Sequence, residues 1–281
     1  MSKKGKIIIT ICIVVAAVCA AYLIIHFANL QATSDKDKAL AESVKTVTNE
    51  AGEAVTDENG ETVTEKTDET KKESETVTVE ISNCPIDFKA LEEINPEIYA
   101  WLTVSNTEID FPVAQHEGES GLGAYEYYYL YVGYDLEPSE YGTLFTTIEN
   151  SKDMSDNVTV IYGHNKSKFS ELKNYRDESY WDGRRAMVVY TPEKAYVYKL
   201  WATVVWDRSF LIDEYNLDTP EGFEAFINKV KATTNVKSHV DETMDVTNND
   251  KLLILSTCMP ETSKKRYLAI GVLQSETDYT E

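Results

Sequence analysis

Residues 252–273 read LLILSTCMPETSKKRYLAIGVL, two apolar runs flanking a polar loop. The first run, Leu252 to Leu255, is apolar at every position, as a strand buried on both faces is. The second, Tyr267 to Leu273, follows a connection of about seven residues, short enough to make the two strands neighbours. Such a hairpin puts Cys258, ending one strand, and Arg266, heading the next, on the same rim of a sheet. A guanidinium there lowers a thiol pKa and offers donors to an oxyanion. Cys258 is then either a small buried hydrophobe beside a solvated arginine, or a nucleophile beside its electrostatic partner.

Upstream, the folded part begins near Asn83. In PIDFKALEEINPEIYAWL the apolar residues Phe88, Leu91, Ile94, Ile98, Trp101 and Leu102 follow helical spacing, so two short helices are expected, broken at Asn95-Pro96. The text then turns to short runs rich in Val, Ile, Tyr and Thr: EIDFPVAQ, GTLFTTI, NVTVIYGH, RRAMVVYTP, KAYVYKLWATVVWDRSFL, KLLILSTC and RYLAIGVL. One longer helix interrupts them near 218–232, with Asp218 or Thr219 as N-cap, Pro220 as first helical residue, and Phe223, Phe226, Ile227 and Val230 on one face. Seven or eight short strands with few helices favour a closed barrel or sandwich over a doubly wound sheet.

The N-terminus differs in kind. MSKKGK precedes a run from Ile7 to Ala28 that is long and apolar enough to cross a bilayer as a helix. A cleavable signal peptide has a shorter apolar region ending at a small-residue site. The run is expected to stay as an anchor, with Lys3, Lys4 and Lys6 holding residues 1–6 in the cytoplasm and everything after about Asn29 outside. Residues 29–82 hold no aromatic side chain and repeat phrases such as EAVTDE, ETVTEK and ETVTVE. They bury too little apolar surface to offset chain entropy, so a disordered acidic spacer is expected, a stack of small β-hairpins being the other reading. The organisation is thus an anchor over 7–28, a spacer over 29–82 and a domain over 83–281.

The net charge of -21 argues against nucleic acid as a partner. Of the four cysteines, Cys12 and Cys19 lie in the apolar run. Cys84 and Cys258 remain, as a single bridge or as free thiols, and the usage is too sparse for a disulfide-stapled scaffold. No His/Cys cluster has zinc-ligand spacing, so no metal is expected. His164 follows the strand Val158–Tyr162 after one glycine, so it also stands at a strand end. A thiol nucleophile needs a proton carrier for its leaving amine, and imidazole is the usual one. His116 and His239 lie in polar loops and are expected to be solvated.

These residues together resemble a known family. ILSTC with an arginine shortly downstream is similar to the TLxTC signature of sortases, and YGHN is similar to their histidine motif. DFKALEEINPEIYAWLTVSNTEIDFPVAQ, YYYL, GTLF and the helix near 218–232 resemble class B members, over roughly Ile86 to Leu273. The resemblance implies a mostly β, sortase-type closed barrel of about eight strands, with short N-terminal helices and one longer helix between late strands. It further implies a membrane-anchored cysteine transpeptidase of Gram-positive type. Such an enzyme cuts a sorting signal after its Thr through a thioester and passes the acyl group to an amine on a cell-wall precursor or a pilin. Its partners are then sorting-signal-bearing surface proteins, the acceptor amine and the membrane, and it needs no cofactor.

By the same resemblance Cys258 is the nucleophile, His164 the general acid and then base, and Arg266 the group that stabilises the oxyanion or holds substrate. Ser256, Leu130, Phe210 and Leu211 match positions lining the substrate groove. Two departures stand out: Ile254 replaces the leading Thr of the cysteine motif, and Glu126 stands where class B members often carry Asn. Lys264 and Lys265 adjoin the arginine, but only Arg266 abuts the strand and offers a planar fork. Two rival readings are a hydrolytic cysteine peptidase with the same His-then-Cys order and a non-catalytic surface binding module. The first requires a parallel sheet with crossover helices.

Overall fold

The computed structural model describes residues 3–45, 81, 83–117, 125–181, 184–207, 211–259 and 262–279. The chain divides into two units, Met1–Ser43 and Val44–Glu281. The first is almost entirely the helix α1, Lys3–Val44. From Ile11 it is long and apolar enough to cross a membrane, and that apolar stretch is exposed within the molecule. Helix α1 does not stop at residue 28. The expectation of a disordered spacer is corrected over 29–44, where helix formers dominate and local bonds support the turns: Gln31 Nε2 donates to the Asp35 carboxylate at 2.9 Å, and Thr33 Oγ1 to the Asn29 carbonyl at 3.0 Å. Residues 46–80, where the rest of the spacer and the repeated phrases fall, lie outside the described residues.

In the second unit, Lys45 forms an isolated bridge with Ile86, and Asp87 N donates to the Val44 carbonyl at 2.6 Å. The Lys45 ammonium pairs with Asp110, whose other oxygen accepts from Trp101 Nε1 at 2.7 Å. Helix α2, Phe88–Ile94, starts at the N-cap Asp87, whose side chain accepts from Ala90 N. The second expected short helix is instead the strand β1, Ile98–Val104. Nearly every residue of β1 is buried, so its apolar pattern fits either period, and pairing with two neighbouring strands decides the outcome.

The other strands are β2 (Asp110–Ala114), β3 (Leu144–Phe145), β4 (Val158–Tyr162), β5 (Ala186–Tyr190), β6 (Lys194–Asp207), β7 (His239–Val240), β8 (Leu252–Met259) and β9 (Thr262–Asp278). The remaining helices are α3 (Glu178–Trp181), α4 (Leu211–Tyr215) and α5 (Pro220–Lys231). Strands run in the order β5-β1-β2-β3-β4-β8-β9-β6, and a β5–β6 pairing closes the ring, with β7 hung on β6. The result is the mostly β, closed eight-strand barrel that the sequence implied. Pairs β2–β3 and β4–β8 are parallel and the rest antiparallel.

Alternation along the strands makes two cores. Leu253, Leu255, Tyr267, Ala269, Val189 and Leu102 fill the barrel interior. Leu252, Ile254, Leu268, Ile270, Val204 and Trp206 point outward and bury with Phe223, Phe226, Ile227 and Val230 of α5. Helix α5 begins as expected: Pro220 is at its start and the Thr219 side chain accepts from Gly222 N at 3.2 Å. Burying one large aromatic such as Phe226 contributes about 2–3 kcal/mol, so this outer face is covered at a substantial gain.

Candidate functional site

The strand directions decide where the chemistry-bearing residues meet. Strands β4 and β8 are parallel, with Tyr162 opposite Ser256, so the two strands end at the same edge. His164 lies two residues past Tyr162 and Cys258 two past Ser256. The pairing is prolonged beyond the ladder: Gly163 N donates to the Ser256 carbonyl at 3.2 Å, Thr257 Oγ1 to the Gly163 carbonyl at 2.7 Å, and Asn165 Nδ2 to the Cys258 carbonyl at 2.8 Å. A Cβ on Gly163 would lie 2.5 Å from Leu144 Cδ2 and 2.8 Å from a Phe169 ring carbon, so this turn needs the glycine for its close packing.

Strand β9 runs back from that edge and sets Arg266 directly opposite Cys258. Directly opposed residues share a sheet face. By alternation from Ile254 and Leu268, that face is the outer one, which α5 covers further along. Strand β9 begins at Thr262, so Arg266 lies inside it rather than at its head, and the register slips between Cys258 and Met259. The expected seven-residue loop is thus mostly strand. Lys265 is set apart from the site by its ion pair with Asp207 at 2.5 Å, and Lys264 is exposed.

Cys258 is half-buried, and neither it nor Cys84 is in a disulfide, so the two form no bridge. Cys84 sits against backbone carbonyls of Ile86, at 3.3 Å, and Thr191, at 3.9 Å. His164 is also half-buried, and its Nε2 lies 2.8 Å from the Leu130 carbonyl oxygen. A carbonyl only accepts, so Nε2 carries the proton and the lone pair is on Nδ1. Burial pushes the imidazole pKa below its ordinary value, outweighing the Leu130 bond. The ring therefore rests neutral at pH 7. Tyr131, largely exposed, meets it edge-on at 6.3 Å between centroids.

Ser256 is buried beside the cysteine, and Leu130 ends a turn of 3-10 helix over Tyr125–Leu130. Leu211 is buried in the cluster under α5. Phe210 lies outside the described residues, and the side chain of Glu126 is likewise not described. The two histidines expected to be solvated are both engaged. His239 Nε2 donates to the Arg176 carbonyl at 3.1 Å. His116 Nδ1 donates to the Glu97 carboxylate at 2.9 Å and stacks on Tyr128 at 4.0 Å. Sequence reading missed Asn165 and the Leu130 carbonyl as partners of the site. Asn165 was legible as the residue after the histidine, whereas a backbone acceptor leaves no trace in residue identity. Among the described residues, no His, Cys, Asp and Glu are grouped so as to hold a metal ion.

No family model matches the chain. It is similar to sortase B of Listeria monocytogenes, 28% identical over 178 residues, which is 62% of this chain and 68% of the relative. Sortase B of Staphylococcus aureus is 25% identical over 196 residues, 66% of this chain and 75% of the relative. Among solved structures, a Streptococcus pyogenes class B sortase involved in pilus biogenesis superposes with a TM-score of 0.57 at 28% identity, over 66% of this chain and 97% of that one. A closed barrel of this order, with this similarity spread across it, is a sortase-type barrel. In sequence and in fold alike, the chain is similar to class B sortases.

Proposed function

We propose that this chain is a membrane-anchored transpeptidase in which Cys258, His164 and Arg266 carry the reaction. The observation that supports the reading best is the pairing of Cys258 with Arg266 across β8–β9, at the edge where β4 ends in Gly163-His164. The thiol proton passes to His164 Nδ1 as the sulfur attacks the carbonyl carbon of the substrate's Thr. Arg266 donates to the oxyanion as it forms. The intermediate collapses to a thioester, and His164 returns the proton to the departing amine. An acceptor amine then attacks the thioester carbonyl and His164 takes the amine's proton; the C–S bond breaks as the amide forms, and His164 hands that proton to the departing thiolate. Within the family, structures of sortase B have been solved with a substrate and with triglycine. By analogy, the substrate here is a sorting signal and the acceptor a wall-precursor or pilin amine. The apolar part of α1 anchors the enzyme with the barrel outside, the lysines before it staying in the cytoplasm.

The reading is tested by incubating the chain with Thr-containing sorting peptides and an oligoglycine acceptor. Mass spectrometry should find an acyl adduct on Cys258, and the product should be amine-linked. Free acid alone would make the protein a hydrolase. No adduct across a broad peptide panel would defeat the catalytic reading.

A further inference from the structure

The His164 ring is oriented through a backbone carbonyl, that of Leu130, and a carbonyl is only as well placed as the chain that bears it. That chain is a short 3-10 helix of six residues, Tyr125–Leu130, outside the strands of the barrel. What pins it is the neighbouring side chain. Tyr129 is 1% exposed, and its phenol donates to Glu97 Oε2 at 2.6 Å and accepts from Asn95 Nδ2 at 2.9 Å. Its carbonyl accepts from Thr143 N at 2.8 Å. The next residue back along that approach is Gly142, in the left-handed region at φ +58, where a Cβ would fall 2.2 Å from the Tyr129 oxygen and 2.8 Å from that of Leu130.

Glu97 is itself over-determined. Its Oε1 receives Glu117 N at 3.2 Å and His116 Nδ1 at 2.9 Å, its N–H donates to Asn95 Oδ1 at 3.0 Å, and its carbonyl accepts from Gln115 N at 3.0 Å. His116 closes the cluster by stacking on Tyr128 at 4.0 Å with the planes 12° apart. A carboxylate placed between β1 and the end of β2 thus reaches across to the turn that carries the histidine's acceptor.

We propose that Glu97 and Tyr129 are positioning residues, whose hydrogen bond fixes the Tyr125–Leu130 turn so that the Leu130 carbonyl holds the His164 imidazole in its Nε2–H form. Neither residue touches the reacting atoms. The role rests on the transpeptidase reading for its consequence in turnover, but not for the tautomer it sets. The burial of the phenol and the three donors on one carboxylate make the linkage rigid, and a group displaced by about 1 Å costs up to about 100-fold in rate.

The test uses the full chain in detergent, labelled with 15N-histidine, with the His164 signals assigned through His164→Gln. In the wild type the two ring nitrogens of His164 should resonate far apart, the protonated one being Nε2. In Tyr129→Phe they should move toward each other as the tautomers average, and kcat with the peptide panel should fall about 10-fold with KM within about twofold. Glu97→Gln keeps an acceptor oxygen for the phenol and should shift the signals less. Unchanged His164 signals in both variants, whatever the melting temperature does, overturn the proposal. If the signals shift while the wild type turns over no peptide, the transpeptidase reading fails and the positioning role stands.

Discussion

Two regions of the molecule deliver the candidate site, and they are built differently. Cys258 and Arg266 sit on a β-ladder that stays in register from Leu252 to Cys258, so backbone pairing alone keeps them opposed. The orientation of His164 instead depends on a short turn held by side-chain hydrogen bonds to Glu97 and Asn95. Ladder geometry is redundant, since losing one bond leaves its neighbours. Turn geometry is not, because each bond there has its own job. The difference teaches that mutations at the two regions should fail in different ways, the first through chemistry and the second through alignment.

The sharpest contrast comes from the sulfur itself. Cys258→Ala should abolish both the acyl adduct and turnover while the far- and near-ultraviolet circular dichroism stay native, because the ladder does not need the thiol. Arg266→Ala should lower kcat by about 10²–10³-fold, the scale of losing an oxyanion donor. Arg266→Lys should recover only part, since an ammonium lacks the planar fork. Steady-state kinetics on the pair decide it, and a fully active Ala variant would remove Arg266 from the chemistry.

Asn165→Ala probes the seam between the two regions. It strands the Cys258 carbonyl and should cost about 1 kcal/mol of stability, read from the urea midpoint, with a several-fold fall in kcat. The smallest effect expected is on the pH dependence of folding. Burial lowers the His164 pKa below its ordinary 6.5. Between those two values the unfolded chain binds more protons than the folded one, so stability rises with pH through that window. The contribution is complete above 6.5 and declines below it. Urea titrations should show the wild type losing stability relative to His164→Gln as pH drops under 6.5. Parallel curves for the two proteins would contradict the burial of the ring.

Much of this was legible in the chain itself. The all-apolar run of β8, the turn residues between strands and the Pro220 start of α5 are local signals, and each element formed where its signal lay. The facing of Cys258 and Arg266 was readable because a short connection leaves two strands little choice but to pair. What escaped reading depends on tertiary partners. Strand β1 carries helical spacing because it is buried on both faces, which erases the distinction between periods. His116 looks solvated from its polar neighbours, yet Glu97, which accepts its hydrogen bond, stands nineteen positions earlier. Helix α1 runs on to Val44 through a stretch whose lack of aromatics argued for disorder but whose helix formers did not.

The slip in register beside Cys258 has a practical side. Cys258 faces Arg266, but the next residue, Met259, faces Thr262, so three residues of β9 are accommodated without a partner on β8. Length at the hairpin's tip is thereby decoupled from the spacing of sulfur and guanidinium. An epitope or fluorophore-bearing peptide grafted at that tip would find slack already built in, which makes it a natural handle for tagging the chain without moving the sulfur away from the guanidinium.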